Sequence, residues 1–307
     1  METKKGLTLA DTGEFGFVDI LSSRFGKNLP SDVVIGIGDD VAVLDVGGSD
    51  YLLATCDSQV SDVHFPRDLI PPYDLGWRIV EVNISDIAAM GGMPRWALVG
   101  LNVSAQTSLD FLEEFYSGIG DALSHVGACL VGGNCARTRE EMVIDLFLMG
   151  TVPRKALITR RGASPGDVIF VTGSLGKARA GLEVVLGEVS KTGRLENAIF
   201  DRAKEFFFRP QARLREGQML AGSGFVTAMI DVSDGLLQDV RHLARENGLD
   251  AVLDLTKIPV DPVCVEVAKA VEQDPLVWAV TGGEDYELLF AVTGERAGEF
   301  IQSYENN

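Results

Sequence analysis

Residues 75–90 read LGWRIVEVNISDIAAM, a pattern typical of a helix that packs against a core. Apolar side chains recur at the spacing of one helix face, at Leu75, Ile79, Val82, Ile87 and Met90. Asp86 lies inside this apolar stretch. Because burying a carboxylate costs free energy unless it is paired or bound to a metal, Asp86 is a candidate site residue.

Apolar runs alternate with amphipathic stretches on both sides of this helix, which predicts an α/β protein of mixed helices and strands. In the first half, Ser108 and Asp110 suit the start of a second helix over 109–126. The strands predicted there are 41–46, 51–55, 96–103, 128–131 and 142–151. In the second half we predict strands at 168–172, 226–230 and 288–292, and helices from about 175, from about 195, after Pro210 and over 236–246.

The segment 153–167 interrupts this alternation with two prolines and two glycines. It also carries a basic cluster of Arg154, Lys155, Arg160 and Arg161. Such a composition is typical of a linker between domains. We therefore predict one domain over 1–152 and a second over 153–307.

The charge balance excludes one large class of partner. The 307 residues hold 45 Asp and Glu against 27 Lys and Arg, a formal net charge of −18. Nucleic-acid binding needs clustered basic residues that contact phosphates, so we expect no nucleic-acid partner. The chain has no apolar run long enough for a membrane helix and none of signal-peptide type near its start. We therefore expect a cytoplasmic protein without a membrane partner.

The residues available for metal binding favour oxygen ligands. Four cysteines without CxxC spacing are expected to be reduced and mostly buried: Cys56, Cys129, Cys135 and Cys264. With three histidines as well, the chain offers few ligands for zinc or iron. A metal held by carboxylates points to magnesium or a similar hard cation.

Five short segments combine glycine, serine or threonine with carboxylates. They are GIGDD (36–40), TCD (55–57), NISD (83–86), DVSDG (231–235) and GGED (282–285). Each one alone is also compatible with an ordinary turn, and Ser233 and Asp234 are candidate caps for the helix over 236–246. Several isolated acids at predicted strand ends nevertheless suggest a shared cation cluster.

A magnesium cluster without histidine or cysteine most often serves phosphates. VGGN (131–134) and TGSLGK (172–177) each follow a predicted strand, as expected for backbone phosphate cradles, although either is also compatible with a plain turn. The P-loop and protein-kinase motifs are absent from the sequence. ATP, if used, therefore binds through another architecture.

The motifs in their order along the chain resemble the thiamine-monophosphate kinase family, part of the aminoimidazole ribonucleotide synthetase superfamily. The resemblance rests on GEFG (13–16), GDD (38–40), CD (56–57), HF (64–65), NISDIAAMG (83–91), GGN (132–134), Arg160, RP (209–210), DVSDGL (231–236) and GGEDYEL (282–288). It covers residues 13–293. It implies a two-domain α/β fold that dimerises through its N-terminal sheet domain and phosphorylates thiamine monophosphate with ATP.

The resemblance also implies a role for each matching residue. The implied magnesium ligands are Asp39, Asp40, Asp57, Asp86, Asn134, Asp231 and Asp234, with Cys56 contributing through its backbone carbonyl. The implied ATP-binding residues are Phe111, Gly132, Gly133, Asn134, Arg160 and Ser233. His64 and Glu284 are implied to contact thiamine monophosphate. Because the nucleophile is an ionised phosphate oxygen, no general base is expected.

Two departures from the family pattern leave alternatives open. Cys56 stands where relatives usually carry Thr or Ser, and relatives continue beyond Asn307 into an aromatic segment that closes over thiamine. The alternatives are another ATP-dependent synthetase of the superfamily and a non-catalytic ATP-binding relative without the substrate cap. The absence of a candidate catalytic cysteine near the N-terminus and the presence of His64 and GGED (282–285) favour the kinase.

Overall fold

The computed structural model describes residues 8–187, 189 and 195–305, which form a larger and a smaller sheet with helices packed against both. The larger sheet contains six strands in the order β1-β2-β3-β6-β4-β5. Their bounds are β1 Val33–Ile35, β2 Ala42–Leu44, β3 Asp50–Val60, β4 Met93–Ser104, β5 Cys129–Thr138 and β6 Val143–Pro153. All neighbouring strands are antiparallel except β4 and β5, which are parallel. The helices of this half are α1 Leu9–Phe25, α2 Pro72–Ala89 and α3 Leu109–His125.

The smaller sheet is antiparallel, with the order β7-β9-β8. Its strands are β7 Val168–Val171, β8 Val226–Val232 and β9 Glu287–Val292. The helices of this half are α4 Lys177–Val185, α5 Asn197–Phe208, α6 Leu214–Ser223, α7 Leu236–Glu246, α8 Pro262–Ala270, α9 Pro275–Thr281 and α10 Ala297–Glu305. Two short 3₁₀ helices, Leu255–Lys257 and Gly294–Arg296, complete the described elements.

Helix α2 is the structural link between the two halves. Its apolar face packs into the core of the larger sheet, where Ile79 and Ile87 are fully buried. At its C-terminal end, Ala88 and Ala89 join a different core cluster that contains Met229 of β8. One helix is therefore buried by both halves of the protein, which explains why its sequence is apolar on more than one side.

Two glycines allow α2 and α3 to approach closely. A Cβ on Gly76 would lie 2.0 Å from the carbonyl oxygen of Phe115, and a Cβ on Gly118 would lie 2.0 Å from that of Tyr73. Because real side chains cannot occupy such positions, these glycines permit backbone contact between the helices. This contact fixes the position of α2 relative to α3.

One face of the larger sheet has no helix packed against it among the described residues. Large apolar side chains are exposed in this sheet: Trp96 of β4, Phe147 of β6, and Leu130 and Val131 of the edge strand β5. The expectation of mostly buried cysteines is wrong, since Cys56, Cys129 and Cys135 are exposed and Cys264 is buried. The three exposed thiols lie on β3 and β5, whose side chains on this side lack a covering layer.

The prediction of a mixed α/β fold is confirmed, and most predicted elements lie within a few residues of their observed bounds. The side chain of Ser108 caps α3 by accepting a hydrogen bond from the Phe111 amide at 3.2 Å. Ser233 and Asp234 do not cap α7. Gly235 is the N-cap residue, and its amide donates to Asp239 at 3.0 Å. Within the described ranges, no helix is both long and apolar enough to cross a membrane.

Candidate active site

Three acids from distant parts of the chain meet where the two halves adjoin. Asp40 lies just before β2, Asp86 in the last turns of α2, and Asp231 in β8. One carboxylate oxygen from each lies within 4.8 Å of the others. Carboxylates at this separation repel one another unless a cation or proton lies between them. The cluster is therefore suited to hold a hard cation through oxygen ligands.

Neighbouring hydroxyl groups orient two of the three carboxylates. Thr55 Oγ1 donates to Asp86 Oδ2 at 2.6 Å, and Ser85 Oγ donates to Asp231 Oδ2 at 2.7 Å. Asp40 Oδ2 is buried, and among the described residues it has no hydrogen-bond partner. A buried oxygen without a partner is costly. Its position beside two further acids indicates a ligand atom.

The pKa values of the cluster also indicate a cation site. Burial, together with repulsion from Asp40, raises the pKa of Asp231 to about 7. Burial and the charges of Asp57, Asp231 and Asp40 raise the pKa of Asp86 well above its ordinary value. Without a cation, these carboxylates therefore ionise incompletely near neutral pH. A bound cation would favour their ionised form.

Arg160, in the segment between β6 and β7, supplies positive charge on one side of the cluster. Its guanidinium forms an ion pair with Asp40, and its backbone amide donates to Asp39 at 3.3 Å. Burial, followed by repulsion from Asp40, raises the pKa of Asp39 to about 7. The arginine thus compensates part of the acidic charge while its side chain remains 22% exposed. It is therefore accessible to an anionic ligand.

Asp57 lies inside β3, because this strand continues to Val60 beyond the predicted end at residue 55. Its amide donates to Asn83 Oδ1 at 3.2 Å, and its charge raises the pKa values of Asp86 and Asp231. Cys56 is exposed while Thr55 and Asp57 are half-buried. Since strand side chains alternate between faces, the Cys56 thiol faces away from the cluster. A contribution from Cys56 would have to come from its backbone.

The segments around Ser233 and Glu284 are hydrogen-bonded to each other. The Glu284 amide donates to the Ser233 carbonyl at 2.7 Å, and the Tyr286 amide donates to the Val232 carbonyl at 3.0 Å. Gly283 is packed so closely that a Cβ there would lie 2.4 Å from the Ser233 carbonyl oxygen. The GGED segment is therefore held directly beside the strand end that carries Asp231.

Glu284 lies at the edge of a cavity of about 340 Å³ between α4, α5 and the 209–213 segment. Its lining includes Lys177, Phe206, Arg213 and Asp285. Asp285 accepts hydrogen bonds from the amides of Gly176 at 2.6 Å and Ala178 at 3.0 Å, so it caps the start of α4. Within GGED, both acids thus line the cavity, and Asp285 also fixes a helix.

The glycine segment 132–134 does not form the expected turn. Gly132, Gly133 and Asn134 lie within β5, in register with Leu98, Val99 and Gly100 of β4. Strands β6 and β4 separate β5 from β3. The segment therefore lies about 14 Å across the sheet from Asp57, at the usual spacing of strands.

Three further predicted residues lie outside the cluster of Asp40, Asp86 and Asp231. His64 is exposed and accepts a hydrogen bond from the Val60 amide at 3.0 Å through Nδ1. Phe111 lies in the first turn of α3, partly packed against the core and stacked on Phe115. Asp234 lies in the loop after β8, where its charge contributes to raising the pKa of Asp239 to about 8, behind the larger effect of burial.

Sequence reasoning missed three residues beside the site: Arg78, Ser85 and Asp239. Asp239 is buried on the apolar side of α7, between Leu236 and Val240. An acid within a helical apolar stripe is the signal that identified Asp86, and it would have identified Asp239 as well. Arg78 is likewise a charged residue in an apolar helix, between Leu75 and Ile79, whereas Ser85 carries no such signal because its partner lies far away in the sequence.

Comparison with known proteins identifies the same family as the sequence motifs, over both halves of the chain. The family model for the AIR synthase related protein N-terminal domain matches residues 38–152, and that for the C-terminal domain matches 164–302. Thiamine-monophosphate kinase of Aquifex aeolicus is 36% identical over 97% of this chain and 92% of its own length. The thiamine-monophosphate kinase of Escherichia coli K12 is 34% identical over 91% of this chain and 82% of its own length.

A solved structure, AaThiL complexed with AMPPCP and TMP, is similar in fold as well as in sequence. It matches with a TM-score of 0.85 and 33% identity, covering 96% of this chain and 89% of that one. The matches thus include both sheets and all five segments that carry the candidate site. The chain therefore belongs to the thiamine-monophosphate kinase family of AIR synthase-related proteins.

Proposed function

We propose that this protein transfers the terminal phosphoryl group of ATP to thiamine monophosphate and so forms thiamine diphosphate. The observation that carries the proposal is the cluster of Asp40, Asp86 and Asp231, drawn from three distant segments. Family membership supplies the substrates, since AaThiL was solved with AMPPCP and TMP and curated relatives are thiamine-monophosphate kinases. The cluster supplies a place where cations and phosphates can meet.

Magnesium is the proposed metal because the donors at the cluster are carboxylate oxygens. Asp40, Asp86 and Asp231 would hold it, with Asp57 beside them. Asp39, Asp234, Asn134 and the Cys56 carbonyl are the remaining proposed ligands. When bound, the cation neutralises phosphate charge and draws the two anionic substrates together. Thr55 and Ser85 keep the carboxylates oriented by their hydrogen bonds.

On the nucleotide side, Arg160 has the clearest physical support. Its side chain is partly exposed, and it is already bonded to Asp40, so it can contact a phosphate while it remains next to the cluster. Ser233 lies beside Asp231, with its hydroxyl 3.5 Å from Asp231 Oδ1. Gly132, Gly133, Asn134 and Phe111 are proposed to bind other parts of the extended nucleotide, since they lie farther from the cluster.

On the acceptor side, Glu284 and His64 are the proposed contacts to thiamine monophosphate. Glu284 lines the cavity of about 340 Å³ and is hydrogen-bonded through its amide to the segment that carries Ser233. A carboxylate is a suitable partner for a ligand that carries a cationic ring and amino groups. The phosphate of that ligand would then extend toward the acidic cluster.

The mechanism needs no general base, because the attacking phosphate oxygen is already ionised at neutral pH. The protein therefore contributes by holding two anions in line and by compensating their charge. Asp40, Asp86 and Asp231 would hold the cation whose charge compensates the phosphates, and Arg160 adds a fixed positive group. Asp231 is buried and Asp40 and Asp86 are half-buried, which limits competing water.

The test is a coupled assay of ADP release with magnesium and ATP, with and without thiamine monophosphate. We expect release to depend strictly on thiamine monophosphate and to be lost in Asp86→Asn. Asp121→Asn, an exposed acid on α3 that accepts a hydrogen bond from Tyr73, is the matched control and keeps wild-type turnover. ADP release with another acceptor, or ATP binding without any turnover, would contradict the proposal.

A homodimer and a two-domain division are also proposed. The uncovered face of the larger sheet exposes apolar side chains, including Trp96 and Phe147, and a second copy is the proposed partner that covers them. The division into 1–152 and 153–307 is supported by the two family models over 38–152 and 164–302. Because ATP is the proposed co-substrate, we also infer a cytoplasmic location.

A further inference from the structure

We propose that Arg78 is a positioning residue, which holds the carboxylate of Glu284 in place and so sets the affinity for the acceptor substrate. The inference rests on the proposed function, in which Glu284 contacts thiamine monophosphate. Arg78 itself lies on α2 and is fully buried, so it cannot contact a ligand in the cavity directly. Its effect must pass through the groups that it touches.

The contacts of Arg78 make Glu284 its charge partner. The side chain of Arg78 is 0% exposed and its guanidinium forms an ion pair with Glu284 Oε1. It also donates to the Phe207 carbonyl and lies 4.5 Å from the centre of the Phe207 ring. A buried guanidinium needs a compensating charge. Glu284 supplies it, and in return the ion pair fixes the direction of that carboxylate.

The backbone around Glu284 has an unusual conformation that the ion pair helps to maintain. Glu284 has φ +66° and Tyr286 has φ +49°, a region that residues other than glycine rarely adopt. The segment keeps this conformation through hydrogen bonds to Ser233 and Val232 and through the bond to Arg78. The Glu284 side chain remains 30% exposed. The carboxylate is thus held from behind while it still faces the cavity.

Arg78 also connects the acceptor side with the acidic cluster. It lies eight residues before Asp86 in the same helix, which is about 12 Å along the helix axis. Helix α2 is buried by both halves and fixed against α3 by Gly76 and Gly118. Because one rigid element holds both Asp86 and the partner of Glu284, the separation between the cluster and the acceptor carboxylate is fixed by that helix.

The test separates positioning from general stability by steady-state kinetics. In Arg78→Met we expect the KM for thiamine monophosphate to rise at least tenfold, with the KM for ATP within about twofold of wild type. Arg78→Lys keeps the charge but loses the planar group, so it restores part of the affinity. Arg154→Met is the matched control. Arg154 also combines an ion pair, to Asp45, with an aromatic ring, that of Tyr51 at 4.5 Å.

A double-mutant cycle tests whether Arg78 affects the KM for thiamine monophosphate through Glu284. If Arg78 acts through Glu284, then Arg78→Met combined with Glu284→Gln raises the KM no further than Glu284→Gln alone. The double variant also removes both charges of the pair, so it remains folded even if Arg78→Met does not. Additive losses, or an equal rise in both KM values, would overturn the proposal. Absence of wild-type turnover would instead overturn the proposed function, and this inference with it.

Discussion

Ser85 and Asp231, which are 146 positions apart, are joined by a hydrogen bond of 2.7 Å between the Ser85 hydroxyl and Asp231 Oδ2. Ser85 lies on α2, next to Asp86, and Asp231 lies in β8 of the smaller sheet. Both residues are buried. The bond therefore connects the helix of one half to the strand of the other at the acidic cluster, where it orients a proposed magnesium ligand.

Loss of this hydrogen bond should weaken the metal site without removing a ligand. In Ser85→Ala we expect the magnesium concentration for half-maximal activity to rise by about tenfold, since groups that orient metal ligands typically affect affinity by this order. Activity is measured across a magnesium titration at saturating substrates. Ser117→Ala on α3 removes a hydroxyl that donates to the Glu113 carbonyl, and it serves as the control. Identical titrations for Ser85→Ala and wild type would contradict the role assigned to Ser85.

Neutralising Asp231 should stabilise the metal-free protein while it abolishes turnover. The pKa of Asp231 is raised from 3.8 to about 7, so the folded state binds more protons than the unfolded state between these values. Its contribution to the free energy of unfolding is therefore complete below pH 4 and is lost as the pH rises through 7. We expect Asp231→Asn to raise Tm at pH 8 and to leave it nearly unchanged at pH 4.

Thermal melts in a chelating buffer measure this difference, and added magnesium provides the internal comparison. Magnesium should raise the Tm of the wild type at pH 8 more than at pH 6, because binding requires ionised carboxylates. It should raise the Tm of Asp231→Asn much less. A variant that is less stable than wild type at pH 8 without metal would show that repulsion within the cluster does not govern its stability.

The contact between α2 and α3 should tolerate no side chain at Gly118. Gly118→Ala is expected to lower the free energy of unfolding by about 1–3 kcal/mol, the usual cost of overpacking a close contact. Gly120→Ala lies in the same helix, where a Cβ meets nothing within 4 Å, and should be neutral or stabilising by about 0.5–1 kcal/mol. Denaturant unfolding of both variants gives the comparison. Equal effects would argue against direct backbone contact between the helices.

A charge on the uncovered face of the larger sheet should prevent dimer formation. Phe147 lies in β6 with 46% of its surface exposed, and it pairs with Leu98 of β4 across the sheet. Phe147→Asp would place a carboxylate in the proposed apolar interface, so we expect a monomer in analytical ultracentrifugation. Val252→Asp, at a 94% exposed position in the other half, should stay dimeric like the wild type. A wild type that sediments as a monomer would exclude the proposed homodimer.

Local sequence patterns predicted most of the elements but not all of their lengths. Helix α3 begins at Leu109 and helix α7 spans Leu236–Glu246, as the apolar spacing indicates. Helices α1, α8, α9 and α10 and strand β1 were missed. Helix α1 has little apolar periodicity, and β1 has only three residues. Strand β3 extends past Thr55 to Val60 because all eleven of its residues pair with β6, and this long-range pairing leaves no local signal.

The sequence by itself determined which acids are unusual. Asp86 stands out in an apolar helix, and Asp40, Asp57 and Asp231 stand out beside glycine, serine or threonine. These are properties of neighbouring residues, and they are readable from composition and spacing because burial and turn formation act locally. The joint order of the motifs likewise indicated the family.

Only the tertiary structure decided how those residues meet and which others support them. Arg160 reaches Asp40 across 120 positions, and Arg78 reaches Glu284 across 206. Ion pairs and hydrogen bonds of this kind depend on how two sheets and α2 pack together. A sequence pattern reports the environment along the chain, whereas the free energy of a buried charge depends on the groups that packing brings beside it.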